Sequence, residues 1–486
     1  MDFAPHTDTD VAEMLEVVGR PSLDALFDHI PASLRLDRAL DLPPGRSEDE
    51  VLRRVTQLAG HNDTGAICFA GGGAYDHYVP ALVGAIVGRG EFLTSYTPYQ
   101  PEVSQGVLQA LFEYQTVISE LTGLPISNAS LYDGGSAVAE AVSMACAAVA
   151  RRAEGAPPAS VASSGALDLP SRQVVATYAH PLGRPVHVLP VDATSGRTPV
   201  ADLAEGVAAV VIQQPNALGI VEDVRAHAEA AHASGAKLIV KLEPTAVGLL
   251  ATPGSQGADL VVGEGQPLGQ GLSYGGPTFG FLACAADQVR RLPGRVVGET
   301  VDGHGIRGYV MTLRAREQDI RREKATSNIC TNQTLCALAA LIHLAWLGPE
   351  GLRELAHASL SRARHAAARL ARVDGAEVAV DGPFLKEFPL RLDVDDPPAA
   401  VRALHAAGYL VGPVVPDGPA AGAVMVATTE RRTAGEVEGL AEALAAVLSE
   451  QRRRRGRPGD GAGLRPDGPS AEHASAVAGL RREGAR

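Results

Sequence analysis

From about residue 60 onward, short apolar runs alternate with amphipathic stretches, and this limits the possible folds more than any other feature. Residues 174–176, 186–189, 208–213, 237–242 and 260–262 read as strands, with helical stretches such as 221–234 between them. That alternation implies an α/β chain whose sheet is mainly parallel and covered on both faces. Residues 254–280 are glycine-rich and read as a loop plus a hairpin, and 334–347 as a buried helix. A second, smaller α/β unit is expected over 350–448, with a helix at 352–373. Its strands fall near 376–380, 387–392 and 423–427, with further helices from Pro398 and over 433–448.

The ends read differently. Residues 7–55 carry capping types ahead of helically spaced apolar residues, so short helical hairpins are expected there. After Glu450 the chain turns to Arg, Gly, Pro and Ala, the composition of a solvated, disordered tail. The expected division is a helical segment over 1–60, a large domain over 61–345, a small C-terminal domain over 346–450 and a tail over 451–486.

Charge and cysteine content exclude several classes. There are 43 basic and 56 acidic residues, a formal charge of −13, which is the wrong balance for a nucleic-acid binder. The five cysteines are scattered with no CxxC pair, against both a disulfide framework and a thiolate zinc site. No metal site is expected. The start lacks the apolar core of a signal peptide. The most apolar stretch, 334–348, is interrupted by His343 and is too short to span a bilayer. A reducing, cytoplasmic setting is the expectation.

Only four lysines occur, Lys237, Lys241, Lys324 and Lys386. Gly71-Gly72-Gly73-Ala74 therefore cannot be a P-loop, since no lysine precedes residue 237. Gly263-Glu264-Gly265 lacks the third glycine of a dinucleotide fingerprint, with Leu268 in its place.

Three segments could carry chemistry. Tyr96-Thr97-Pro98-Tyr99-Gln100-Pro101-Glu102 is dense in polar and aromatic side chains and stiffened by two prolines. It could present hydrogen bonds to a substrate carboxylate, or simply cap a helix beginning near Val103. Asp133-Gly134-Gly135-Ser136-Ala137 precedes an Ala-rich helix and could cradle an anion, or Ser136 could cap its own helix. Residues 314–324 are densely charged, the pattern of a solvated helix face. Ala325 to Gln333 is polar but uncharged, so its groups must be satisfied internally or by a partner.

Taken together, these segments resemble the glycine cleavage system P-protein in its split form, subunit 1, the alpha subunit of glycine dehydrogenase (decarboxylating). The resemblance rests on Ser22-Leu23-Asp24-Ala25-Leu26-Phe27 with Ile30-Pro31, and on Gly73-Ala74-Tyr75-Asp76-His77-Tyr78-Val79-Pro80. Tyr96 through Gly106, Asn128-Ala129-Ser130 with Asp133, and Gly257-Ala258-Asp259 add to it. Pro293-Gly294-Arg295 and Arg316 through Gln333 complete the set. It covers about residues 5–448.

The resemblance implies a PLP-dependent transferase fold of type I, aminotransferase-like. It implies glycine decarboxylation on pyridoxal phosphate and transfer of the aminomethyl group to the lipoyl arm of H-protein. It also implies a partner, P-protein subunit 2, in an (αβ)₂ assembly. In such enzymes the cofactor is held as a lysine Schiff base and its pyridine nitrogen faces an acid. Here the acid-bearing strand is Ile239-Val240-Lys241-Leu242-Glu243, and the lysine position falls near Gln266-Pro267. Neither Gln266 nor Pro267 can form a Schiff base. The cofactor is therefore expected on the partner, with no catalytic residue on this chain alone. Tyr96, Thr97, Tyr99 and Gln100 are expected to position substrate or the lipoyl arm, with Asn328 and Cys330 as further interface residues.

Three positions depart from the family pattern. Glu243 replaces the usual Asp, Asp319 replaces a His, and Asp168-Leu169 replaces His-Pro. These departures motivate two alternatives: a paralogous subunit serving a specialised pathway, and a non-catalytic scaffold or regulatory pseudo-enzyme.

Overall fold

The computed structural model describes residues 5–149 and 159–455. By contacts, the described residues up to Thr64 form one unit and those from Gly65 onward another.

In the first unit, helices Asp8–Val18 and Glu48–Ala59 both start on capping boxes. Thr7 pairs with Asp10, and Ser47 pairs with Glu50. Between them lie single turns, Asp24–Phe27 and Ala32–Leu34, rather than full helices. Ser22 Oγ accepts from Ala25 N at 3.2 Å, as the capping pattern suggests.

In the second unit the strands are, in chain order, β1 Ile67–Ala70, β2 Ile126–Ser127, β3 Ser160–Ser164, β4 Val186–Leu189, β5 Val207–Gln214, β6 Lys237–Leu242 and β7 Leu260–Glu264. They continue with β8 Gly280–Cys284, β9 Val296–Val301, β10 Arg307–Thr312, β11 Ala376–Val378, β12 Glu387–Leu392, β13 Tyr409–Gly412 and β14 Val424–Ala427. The main sheet has seven strands in the order β2-β8-β7-β6-β5-β3-β4. Pairings from β4 through β7 are parallel, while β8 is antiparallel to both β7 and β2. This is the α/β mixed sheet expected.

Successive residues of β5 supply opposite faces. Val210 and Ile212 enter one core with the Gln105–Thr122 and Val224–Ala233 helices, and Ala209 and Val211 enter the other with the Gly134–Val149 helix. Both faces are thus covered, so the strand is continuously apolar from Val207 to Ile212.

One local expectation fails and one strand was not expected, both for identifiable reasons. Residues 174–176 are not a strand. Asp168 caps a helix over Leu169–Ala179, accepting from Ser171 N at 3.0 Å, and of the two valines only Val175 packs in the core. The strand beside it is β3, whose serine-rich sequence shows no apolar run yet is buried along its whole length between β4 and β5.

The C-terminal part has the sheet β11-β12-β14. β1 lies parallel to β13, and Phe69 packs in the core with Phe388 and Val426, so the segment around residue 67 belongs with the C-terminal core rather than the large domain. The two helices expected over 334–347 and 352–373 are both present and run on from one another. The combined helix runs Thr334–Leu370, with a kink at Gly348 ahead of Pro349. Among the described residues it is the one helix long and apolar enough to cross a membrane, but half of its most apolar window is buried in the protein. Cys336, Ala337, Ala340 and Leu344 sit in the main core.

The final helix, Ala434–Arg455, extends past the expected boundary. Arg452 pairs with Asp374, and Arg455 bonds Asp393 at 2.8 Å and Asp395 at 2.7 Å, so the first arginines of the basic run anchor a helix. The expected tail beyond residue 455 lies outside the described residues.

Candidate functional site

Polar groups from distant parts of the chain meet in two places. The first surrounds Tyr99. Two guanidinium groups lie over its ring, Arg295 at 5.4 Å and Arg314 at 5.0 Å from the ring centre. Arg295 Nη2 also donates to the Tyr99 hydroxyl at 3.3 Å, and its Nη1 donates to Asn332 Oδ1 at 3.2 Å. Asn332 Nδ2 donates to Ala129 O at 2.7 Å, and Asn128 Nδ2 to Pro293 O at 3.0 Å. Ser130, at φ 100°, holds the left-handed turn that directs its hydroxyl to Gln333 N, 3.1 Å away. Arg316 donates to the carbonyls of Leu292 and Gly294. The 96–102, 128–130, 293–295 and 316–333 segments therefore form one cluster.

Within this cluster the expected residues fall into different settings. Tyr96 and Gln100 are exposed, Tyr99 is half-exposed and fixed by the two arginines, and Thr97 is partly buried. Pro98 is buried beneath them. Asn328 and Cys330 are also exposed. The residue that anchors their turn is Ile329, which is buried, while the Tyr132 hydroxyl accepts from Cys330 N at 3.2 Å. Arg295 and Asn332 lie in segments that carry the resemblance but were not expected as site residues. Their contacts with Tyr99 and with each other mark them as such.

The second place lies at the C-terminal ends of β6 and β7, where open α/β sheets form their ligand crevices. Glu243 follows β6. Its carboxylate accepts from Lys386 Nζ at 2.9 Å, and from the Thr245 hydroxyl at 2.8 Å. Lys386 also donates to His77 Nε2 at 2.9 Å and lies 4.2 Å from the Tyr75 ring centre. Burial and the Lys386 ammonium push His77 below the usual histidine range, so its ring is neutral near pH 7. Its Nδ1–H then donates to Glu430, 2.7 Å away. Burial is the largest single influence on the Glu243 carboxyl and would raise it, but Lys386, His77 and the Thr245 hydroxyl together hold the group below its usual value.

Tyr75 extends the network. Its hydroxyl donates to Glu387 Oε1 at 2.6 Å, and Gly72 N donates to Glu387 Oε2 at 2.8 Å. The Gly71–Gly73 run is thus a close backbone approach to a carboxylate. A Cβ at Gly71 would stand 2.4 Å from Glu387 Oε2. Tyr75 N donates to Gln266 Oε1 at 2.9 Å, and Gln266 Nε2 returns to Tyr75 O at 3.0 Å. Gln266 is one of the two residues, Gln266-Pro267, near which the resemblance calls for a lysine.

Glu264, at the end of β7, accepts from Gly134 N at 2.9 Å and from the Thr278 hydroxyl. Gly134 is the first residue of the Gly134–Val149 helix. Asp133 takes the Ser136 backbone N–H at 2.8 Å and its hydroxyl at 2.9 Å, so Ser136 is capped locally.

Each departure from the family pattern has an ion-pair partner. Asp168 pairs with Lys241, Glu243 with Lys386, and Asp319 with Arg314. Lys237 pairs with Asp259 at 2.7 Å. Pyridoxal phosphate bound in this crevice would need an amine at Gln266, a free acid for its ring nitrogen and free donors for its phosphate. All three positions are otherwise engaged, so the residues present do not fit the group. The sequence placed Lys386 in the small domain and away from this chemistry. In the fold its ammonium lies against Glu243.

The sequence profile of the glycine cleavage system P-protein matches residues 1–444. The chain is 46% identical over 456 residues to a probable glycine dehydrogenase (decarboxylating) subunit 1 from Geotalea daltonii, covering 92% of this chain and 100% of that protein. It is also 46% identical to the protein of the same description from Desulforamulus reducens, again over 92% and 100%. A crystal structure of glycine decarboxylase (P-protein) of the glycine cleavage system, in inhibitor-bound form, superposes with a TM-score of 0.84 at 46% identity, covering 92% and 100% of the two chains. A sphingosine-1-phosphate lyase from Burkholderia pseudomallei, at 15% identity and a TM-score of 0.63, shares the fold.

Proposed function

The chain belongs to the glycine cleavage system P-protein family, and from that premise we propose that it serves as the alpha subunit of a heteromeric glycine decarboxylase whose pyridoxal phosphate is held by the partner. It is part of glycine dehydrogenase (decarboxylating), an oxidoreductase of glycine catabolism. Identity of 46% along almost the whole chain, with relatives of that description, does not favour a specialised paralogue or a scaffold.

The partner is P-protein subunit 2 in an (αβ)₂ assembly, which passes the aminomethyl group to lipoylated H-protein in the cytoplasm. The pyridoxal phosphate acts there as the electron sink for loss of the glycine carboxyl group. This chain contributes positioning. The observation that carries the reading is the clamp on Tyr99. Two arginines fix the ring while Tyr96 and Gln100 remain exposed beside it. An aromatic and amide edge backed by cationic charge suits a carboxylate substrate or a swinging arm. No proton transfer is assigned to it.

Two measurements test this. The isolated chain, mixed with pyridoxal phosphate, is expected to show no lysine-linked aldimine absorbance; such a spectrum would refute the cofactor assignment. In the assembled complex, Tyr99→Phe removes one hydrogen bond, worth about 1 kcal/mol, and Gln100→Ala removes an exposed donor. Each is expected to lower glycine–bicarbonate exchange about fivefold while the subunits stay associated. Unchanged exchange would make the loop a helix cap and no more.

A further inference from the structure

The strand-end crevice is filled by the chain's own charges, in the pattern a bound cofactor would present. A fold-type-I cofactor offers a protonated ring nitrogen to an acid at a strand end, and a phosphate to the first turn of a helix. In this chain the acid is Glu243, and the cation against it is Lys386 Nζ at 2.9 Å. The helix is Gly134–Val149, and the anion on its first N–H is the Glu264 carboxylate at 2.9 Å. The Thr278 hydroxyl, a donor type that often completes a phosphate site, also goes to Glu264. Gln266 joins the two ends. Its backbone N–H donates to Glu264 at 3.3 Å and its side chain bonds Tyr75, the ring beneath Lys386.

We propose that Lys386 and Glu264 act as built-in stand-ins for the two charged ends of pyridoxal phosphate, so that this subunit folds with its former cofactor crevice electrostatically complete and closed to phosphorylated ligands.

Both stand-ins are deeply placed. Lys386 is 6% exposed, and Glu264 is only partly accessible. Each meets donors or acceptors that would otherwise be orphaned inside the protein, at a cost no native interior leaves unmet. The Gly134 position has no spare room: a Cβ there would stand 2.9 Å from Glu264 Cβ. The inference rests on the reading above that the cofactor belongs to the partner, but its test uses ligand binding by this chain alone. Glycine exchange by the complex can therefore fail without it, and it can fail without glycine exchange.

The experiment is thermal melting of the purified full chain with and without inorganic phosphate, then with pyridoxal phosphate. The wild-type chain is expected to show no shift with either. Glu264→Ala frees the Gly134 N–H and the Thr278 hydroxyl, and millimolar phosphate should then raise its melting temperature by about 2 °C or more. Glu264→Gln fills the same space but offers one acceptor oxygen where the carboxylate uses two, so its response to phosphate should be smaller than that of Glu264→Ala, and an equal response would overturn the proposal. Glu264→Ala/Lys386→Ala should gain a further response to pyridoxal phosphate, bound without a covalent link. If Glu264→Ala does not fold, Glu264→Ser opens the same space with a small hydroxyl. A wild-type chain stabilised by either ligand overturns the proposal without any variant. A folded Glu264→Ala or Glu264→Ser that ignores phosphate overturns it as well.

Discussion

Lys386→Met is expected to lower the stability of the chain by about 3–5 kcal/mol, the cost of leaving one member of a buried ion pair without its partner. Glu243 and Lys386 have side chains only 10% and 7% exposed, so water cannot replace the lost ammonium. The same change leaves His77 Nε2 without its donor and the Tyr75 ring without its cation. Glu243→Gln on that background should recover part of the loss, because a neutral amide no longer needs a counter-charge and can still accept from Thr245. Urea unfolding followed by fluorescence provides the measurement. Trp346 is the chain's only tryptophan and lies in the same structural unit. A loss below 1 kcal/mol for Lys386→Met, or no recovery in the double variant, would show that the pair is solvated or unimportant to folding.

Glu140→Gln is expected to stabilise the chain above neutral pH by up to about 3 kcal/mol. Glu140 is 2% exposed on the Gly134–Val149 helix, and burial pushes its carboxyl up to about 7, with a hydrogen bond from Ser327 opposing this only in part. The native chain then holds a proton that the unfolded chain releases near its ordinary value. With more protons bound in the native state, stability falls as pH rises from about 4.5 to about 7 and levels off beyond. Glutamine has no proton to lose, so this loss should be absent in the variant. Stability of the two proteins at pH 5 and pH 8 checks it. Parallel pH profiles would mean that Glu140 is ionised in the folded chain.

Much of the sheet was readable in advance. Residues 237–242 and 387–392 match β6 and β12 to the residue. The centre of β6, Leu238 to Val240, is an apolar run buried on both faces, and such runs need no tertiary context to stand out. β3 escaped because its serines lie deep in the sheet, and Ser163 and Ser164 satisfy their hydroxyls inside the protein, Ser163 Oγ on Ser164 O at 3.5 Å. Ser164 Oγ meets Thr198 Oγ1 at 2.6 Å, and a hydroxyl partner of that kind is invisible in a hydropathy pattern. The Tyr96–Glu102 loop was visible as a motif, but its arginine backing was not. Arg295 and Arg314 come from different segments and meet at Tyr99 only in the fold.

The lysines divide the two kinds of knowledge most clearly. Through the family resemblance the sequence places the Schiff-base position near Gln266-Pro267, and that neither residue offers an amine needs no structure, because side-chain chemistry of this kind does not depend on its surroundings. Only the tertiary structure decides what a remaining lysine does. Lys386, just ahead of β12 in the C-terminal sheet, is the counter-charge of Glu243, just past β6 of the main sheet. An ion pair is set by distance and burial, which long-range packing creates, whereas a missing amine is a property of one residue.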